Sequence, residues 1–227
     1  MIVIVLLGLD QPPPGALLAG SNPWLIDVAW LAAFGLQHSL MARACFKRAW
    51  TRMISPHLER SLYVGMSGLA LLGLCLSWQP LPGPAIWRLP TWVLGAGLAG
   101  AIGSSFCCSR FDQLRFFGLR QALQIAGPQA PDDLQITGPY RFVRHPMMSC
   151  LLVFFWAQPV LTPTLALLSG GMTVYLMIGS RLEEHDLAER FGPSYEAYRR
   201  RVPAFIPWRR PVPPAIHPPR DVATGQL

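Results

Sequence analysis

The stretch GPYRFVRHPMMSC, Gly138 to Cys150, changes character at its middle. Its first half is basic and aromatic. From Pro146 onward it opens an apolar run that lasts to Trp156. Charges at the mouth of an apolar helix have two uses. Arg141, Arg144 and His145 can anchor a membrane segment on its cytoplasmic side, and Pro146 suits that role because proline fits the first turn of a helix. The same three side chains can instead hold a charged ligand at the membrane face. The stretch also decides the fold. A hydrocarbon core of about 30 Å takes about 20 helical residues, and Met147–Trp156 falls short of that. Pro159 and Pro163 bracket a tight turn, and Thr164–Ser180 is apolar again. Met147 to Arg181 is therefore expected to form a helical hairpin.

Working outward, the whole chain reads as membrane-embedded. Hydrophobic residues make up 52% of the 227 residues and charged residues 14%, against roughly 25% charged in soluble proteins. Three further apolar runs, Trp24–Ala42, Ser61–Gln79 and Thr91–Ser109, are each long enough to span. The last carries GAGLAGAIGSS, Gly95 to Ser105, with small residues at helix-packing spacing. The expected fold is all-α: a polytopic integral membrane protein with about five membrane helices, ending in the hairpin. Asp27, near the start of the first span, is expected at the membrane interface. Met1–Leu9 is too short to span and lacks the basic start of a signal peptide.

The connections set the topology. The net charge of +7 comes almost wholly from arginine, Lys47 being the one lysine. Positive residues gather in three places: 43–60, read as a short amphipathic surface piece, 110–145, and the segment after Arg181. The N-terminal 23 residues carry none, and the 80–90 turn carries one. The chain is thus predicted to run N-terminus outside, C-terminus in the cytoplasm. The two most polar segments then share the cytoplasmic face and can meet. No basic face with interleaved aromatics on a soluble module is present, which argues against nucleic acid as a partner. Arg110 to Gly127 is expected as an amphipathic helix, and the residues up to Arg144 as a loop.

Candidate chemistry lies at that face. Glu183 and Glu184 stand where the last apolar run meets water, about 100° apart on a helix, so that one can face inward. On their own they read equally as solvated acids balancing nearby arginines. Together with Arg144 and His145 they offer both signs to one ligand. Tyr140, Tyr195 and Tyr198 add aromatic surface for a cation or a flat ring. His38, inside the first span near its inner end, is a candidate base because intramembrane ionisable groups are rare and functional by default. The alternative is a packing histidine bonded to Ser39 or a carbonyl. Asp112 and Arg120 are further candidates. Histidine and cysteine spacing gives no metal site and no disulfide framework. The five cysteines read as small hydrophobes, apart from Cys45 in a basic loop.

TGPYRFVRHP (137–146), followed by an apolar hairpin and then RLEEHDLAERFGPSYEAYRRRVPAFIP (181–207), resembles the membrane methyltransferase superfamily. That superfamily includes isoprenylcysteine carboxyl methyltransferases and phospholipid methyltransferases. The N-terminal half narrows the likeness. FGLQHSLMARACFKRAWTR (34–52), ERSLYV (59–64), WQPLPG (78–83) and FFGLRQ (116–121) are similar to the methanethiol S-methyltransferase branch, also grouped with NnrU-like membrane proteins. The resemblance covers about Leu31 to Pro207. The chain departs from it where the superfamily loop often continues RHP, any residue, Tyr, any residue, Gly: here Met148 and Cys150 stand, and loss of the glycine is expected to crowd the approach to the cofactor. The family commonly begins with a further membrane helix, where this sequence has the short apolar Met1–Leu9.

The resemblance implies a cytoplasmic site for S-adenosylmethionine built from Gly138, Tyr140, Arg144, His145, Pro146, Glu183, Glu184, Tyr195 and Tyr198. Arg144 or His145 would hold the carboxylate of the cofactor and a glutamate its ammonium. It implies an enzyme that methylates a small thiol, methanethiol to dimethyl sulfide. The alternatives are a lipid or isoprenylcysteine carboxylate as acceptor, and a non-catalytic NnrU-like transporter or binding protein. The implied organisation is a linker over residues 1–23, a membrane methyltransferase domain over 24–207 with its cofactor half at 136–207, and a flexible Pro-rich tail over 208–227, set among membrane lipids.

Overall fold

The computed structural model of the protein describes residues 22–109, 114, 117–125, 134 and 136–213. The elements among them are α1 (Pro23–Ala42), α2 (Ala44–Trp50), α3 (Glu59–Ser77), β1 (Trp87–Arg88), α4 (Val93–Ser109), α5 (Leu119–Ala122), a 3-10 turn (Gly138–Arg141), α6 (Pro146–Trp156), β2 (Val160–Leu161), α7 (Pro163–Phe191) and α8 (Pro193–Arg201). The protein is mostly helical. Helices α1, α3 and α7 are long and apolar enough to cross a membrane, and α4 and α6 are shorter apolar helices.

The helix starts follow from sequence. Asn22 accepts a hydrogen bond from Trp24 N (3.0 Å) ahead of Pro23, and Thr162 accepts one from Leu165 N (3.3 Å) ahead of Pro163. Each pairs a capping side chain with a proline in the first turn, where its missing N–H costs nothing. Helix α7 runs unbroken for 29 residues from the apolar stretch through the charged one. It stops at Gly192, whose φ of 53° lies in the left-handed region that glycine tolerates.

Lipid tails are as apolar as leucine, so close packing has to hold such helices together. The core joins Phe34 of α1, Leu74 of α3, Trp78, Phe154 and Phe155 of α6, and Leu168 and Met172 of α7. Helix α4 meets α6 through its glycines. A Cβ on Gly100 would stand 2.6 Å from Cys150 O, and one on Gly97 2.9 Å from Ala157 O. The expected small-residue face of 95–105 is thus used for backbone contact. On the outer faces Leu36, Leu69 and Ile102 are 69%, 68% and 70% exposed, an apolar surface suited to lipid.

One end of the bundle is closed by polar groups. Asp27, expected at the interface, is fully buried; its Oδ1 accepts a hydrogen bond from Gln79 N (3.0 Å). Leu81 N donates to Thr164 Oγ1 (2.8 Å), and Trp87 Nε1 donates to Gln158 O (3.1 Å). There β1 and β2 pair antiparallel, Trp87 opposite Leu161 and Arg88 opposite Val160. This ribbon lies in segments that read as turns, because two-residue strands carry no periodicity.

Two expectations change. The helix expected over 110–127 is interrupted at Gly118, where φ is 78° and helical geometry is lost before α5. A Cβ there would lie 2.6 Å from Ser61 N, so glycine is required by both conformation and space. The tail expected to be flexible from residue 208 is held at Val212: Arg141 Nε donates to Val212 O (2.6 Å), and Val212 N donates to Arg141 O (3.2 Å). The expectations for residues 1–21 and 214–227 lie outside the described residues.

Candidate functional site

Opposite the sealed end, the loop before α6 and the charged end of α7 meet. Gly138 turns the chain with φ 55°, and Pro139 leads the 3-10 turn that carries Tyr140. His145 N-caps α6 and Pro146 is its first residue. The extended segment after α8 fixes this loop, with Arg144 N donating to Pro203 O (2.9 Å) and His145 N to Ala204 O (3.0 Å).

Glu184 is the centre. Its Oε1 accepts from Arg144 Nε (2.8 Å) and lies 2.7 Å from Arg144 Nη2 and 3.0 Å from His145 Nε2. Arg144 Nη1 donates to Arg199 O (3.0 Å) and Val202 O (2.6 Å). Every guanidinium nitrogen of Arg144 is therefore committed to the protein, and the side chain serves to hold Glu184. The arrangement leaves the other carboxylate oxygen lightly held, with Arg199 Nε at 3.5 Å from Oε2. Glu183 is 51% exposed in its side chain, with His145 Nδ1 at 3.6 Å. Its neighbour Glu184 is 12% exposed, so the adjacent acids do divide between outward and inward positions.

Charge and burial compete here, beyond the apolar part of α7. Burial pushes the His145 imidazole toward the neutral form, but the Glu183 and Glu184 carboxylates outweigh it and its pKa is raised overall. Burial pushes Glu184 upward, while the Arg144 and His145 hydrogen bonds and charges bring it below the usual carboxylate value. Tyr195 is 1% exposed, and its OH has no hydrogen-bond partner among the described residues. Burial, then the Glu184 charge, pushes its phenol to about 12, so it stays a neutral donor. Tyr198 OH is already used, donating to Tyr140 O (2.8 Å). The polar groups with capacity left are thus Glu184 Oε2 and the Glu183 carboxylate, held by contacts of 3.5 and 3.6 Å, and the Tyr195 hydroxyl. Two acceptors beside a buried donor suit an ammonium group with an adjacent polar head.

Cys150 points across to the facing helix. A Cβ on Gly103 of α4 would lie 2.9 Å from Cys150 Sγ, so the cysteine is accommodated by a glycine on the facing helix. Its close neighbour across the helix pair is therefore α4.

His38 belongs to a second polar group, between α1 and α3. Its Nε2 lies 2.7 Å from Tyr63 OH and its Nδ1 3.1 Å from Ser67 Oγ. It bonds across the helices rather than packing against Ser39. Tyr175 of α7 sits edge-on to the ring at 5.9 Å. Nearby, Ser61 Oγ donates to Gly118 O (2.8 Å), which brings α5, with Arg120, onto the start of α3. Asp112 lies outside the described residues. The two groups share one end of the bundle: Arg43, just past α1, pairs with Asp186 of α7 at 3.2 Å.

Sequence reasoning missed Tyr63, Ser67, Arg199 and Phe205, whose ring stacks on His145 at 5.5 Å. A signal existed for the first two. They are polar residues one turn apart on an otherwise apolar, Gly-rich helix, the pattern of a buried polar face. Nothing local marks Phe205, which reaches His145 only through the fold.

No protein-family model and no solved structure matches the chain. Curated relatives do. Methanethiol S-methyltransferase 1 of Bradyrhizobium diazoefficiens is 38% identical over 83% of this chain and 68% of its own length. Methanethiol S-methyltransferase of Mycobacterium tuberculosis is 38% identical over 81% of this chain and 78% of its own. Nurim of Xenopus laevis is 32% identical over 72% of this chain and 62% of its own. The chain belongs to the methanethiol S-methyltransferase family of membrane proteins.

Proposed function

We propose that the protein uses S-adenosylmethionine to methylate methanethiol, giving dimethyl sulfide. The observation that carries this reading is the set of relatives named for that activity, 38% identical over more than four-fifths of the chain. On this reading α4 and the α6–α7 hairpin join α1 and α3 as five membrane segments. The N-terminus lies outside, and Arg144, Glu184 and α8 face the cytoplasm, where a soluble cofactor arrives.

The residues present fit such a cofactor. Glu183 and Glu184 Oε2 are placed to take its ammonium. Arg199, with long contacts of 3.5 Å to Glu184 and Glu196, is available for its carboxylate, alongside His145. Arg144 serves one step removed, by fixing Glu184. Tyr195 OH completes a polar partner set, and Tyr140 and Tyr198 offer aromatic surface. When bound, the cofactor supplies an electrophilic methyl group. What the chain contributes is alignment and exclusion of water. A thiolate held out of water beside a cation reacts faster than one in solution, and orientation removes much of the entropic barrier. Tyr175, beside His38, precedes Glu183 by about 12 Å along α7, at 1.5 Å per residue. One rigid helix therefore sets the spacing between the two polar groups.

The test is headspace gas analysis of cells expressing the protein and given methanethiol, beside cells with an empty vector. Dimethyl sulfide above the control is expected; production at the control level removes the proposed acceptor. Calorimetry with S-adenosylhomocysteine on the detergent-solubilised protein tests the cofactor separately, and absence of binding by folded protein removes it.

A further inference from the structure

We propose that Tyr63 takes the proton of the acceptor thiol while passing its own proton to His38; the inference rests on the thiol methylation proposed above. His38 is the sequence candidate for the base, but both of its ring nitrogens are engaged by protein groups. The direction of those bonds can be worked out. Ser67 Oγ donates its one proton to Tyr63 O (2.9 Å). Toward His38 it can then only accept, so the ring proton sits on Nδ1. In the neutral imidazole Nε2 is consequently an acceptor, and Tyr63 O–H donates to it across 2.7 Å. Gln37 Nε2, 3.3 Å from Ser67 Oγ, donates to the same oxygen and reinforces its acceptor role.

This chain of bonds ends at the Tyr63 phenol oxygen, whose lone pairs meet no donor among the described residues. A thiol there finds a phenol whose proton is already directed at a base. In the step, the S–H bond breaks and its proton forms a new O–H bond at Tyr63. The original phenol proton moves to His38 Nε2, leaving an imidazolium whose Nδ1–H still bonds Ser67. The thiolate sulfur then bonds the donor methyl carbon, and the electron pair of the broken methyl–sulfur bond returns to the departing sulfur. After product leaves, the same two transfers in reverse release the proton to water. Tyr63 is the catalytic residue of the pair. His38 and Ser67 act through it. Ser61, two residues before Tyr63, anchors Gly118, and α5 with Arg120 is thereby held against this end of α3.

The test compares two acceptors under single-turnover conditions in mildly alkaline buffer, with methyl transfer from labelled S-adenosylmethionine as the readout. Methanethiol stays protonated there and needs a base. Hydrogen sulfide is smaller and largely ionised there, and does not. Tyr63→Phe should slow methanethiol methylation by about 10²-fold, the usual worth of a positioned acid–base group. It should leave hydrogen sulfide methylation near wild type and S-adenosylhomocysteine binding unchanged. His38→Gln, which keeps hydrogen bonds to both partners but cannot carry the proton, should show the same selectivity and stands in should Tyr63→Phe fail to accumulate. Equal loss on both acceptors, or no loss on methanethiol, overturns the relay and leaves the proposed function intact. A wild-type protein inactive on both overturns the proposed function and the relay with it. Nitrogen NMR of labelled histidine, assigned with His38→Gln, reads the resting state without cofactor. The proton is expected on Nδ1, and a proton on Nε2 would reverse the Tyr63 bond and overturn the proposal.

Discussion

The two ends of the helix bundle use polar groups in opposite ways. At the end near Asp27, most polar atoms close on one another: Asp27 Oδ1 on the Gln79 amide, Thr164 on the Leu81 amide, Gln158 on the Trp87 indole, with a strand pair laid across, while Asp27 Oδ2 has no hydrogen-bond partner among the described residues. At the other end Glu184 gathers Arg144 and His145 onto one oxygen, and leaves its second oxygen, Glu183 and the Tyr195 hydroxyl with capacity to spare. A buried polar group without a partner costs about 1–3 kcal/mol. The contrast separates structure from site more sharply than the residue types do, since both ends contain buried carboxylates.

Substitutions at the two ends should therefore fail differently. The largest effect is expected from Glu184→Gln. It removes the carboxylate charge assigned above to the cofactor ammonium, and one charge-assisted hydrogen bond is worth about 1.5–3 kcal/mol. S-adenosylhomocysteine affinity, measured by calorimetry, should fall by about 10- to 100-fold, at tenfold per 1.4 kcal/mol. Near-native affinity would return the carboxylate to a topological role. Next comes Gly100→Leu, which drives a side chain into the backbone of α6 and should lower stability, read by thermal unfolding, by about 1–3 kcal/mol or more. Gly95→Leu, with nothing within 4 Å of its Cβ, is the control and should unfold near the wild-type temperature.

Asp27→Ala should cost about 1–3 kcal/mol by stranding the Gln79 amide, while Asp27→Asn, which keeps an acceptor, should cost less. Neither should change cofactor affinity in the molecules that fold, and a loss there would show that the sealed end reaches the site. A smaller effect is expected from pH. The His145 pKa is raised in the folded protein above its ordinary 6.5. Its charge therefore stabilises the fold fully below about pH 6.5 and loses that contribution as pH rises through the raised value. Thermal scans in mildly acidic and mildly alkaline buffer should show the decline in wild type and a flatter profile in His145→Gln. Smallest is Glu189→Gln. Its partner His185 is 71% exposed and Glu189 itself 70%, so the pair should contribute nothing measurable to activity.

Much of this is legible in the sequence, for identifiable reasons. Spans are written in long apolar runs, so α1, α3 and α4 fall within two residues of the expected bounds at every end. The glycine face of 95–105 reads directly as packing. Arg144, His145, Glu183 and Glu184 stand out because charge at an apolar boundary is expensive. Their pairing is less legible. The sequence offers arginine and glutamate as two ligands for one cofactor, whereas Arg144 is engaged with Glu184. Sequence shows complementary signs but not that they satisfy each other. Asp27 escapes the same logic, since its partner is a backbone amide 52 residues away that no side-chain pattern announces. Tyr63 and Ser67 stay hidden because their meaning comes from His38 on another helix.

The hydrogen bonds that the Arg144–His145 loop donates to the 203–204 carbonyls also set an order of events during synthesis. The loop emerges first, then the apolar α6 and the apolar part of α7, and Glu184 follows 40 residues after Arg144. The last clasps, Pro203, Ala204 and Val212, are made later still. Until Glu184, Arg199 and Val202 are translated, the guanidinium of Arg144 has none of the partners it holds in the folded protein. On the orientation proposed above, the same arginine would serve twice in the life of the molecule, first as a positive charge that holds its loop in the cytoplasm and then, once the chain behind it arrives, as the rivet between that loop and α7.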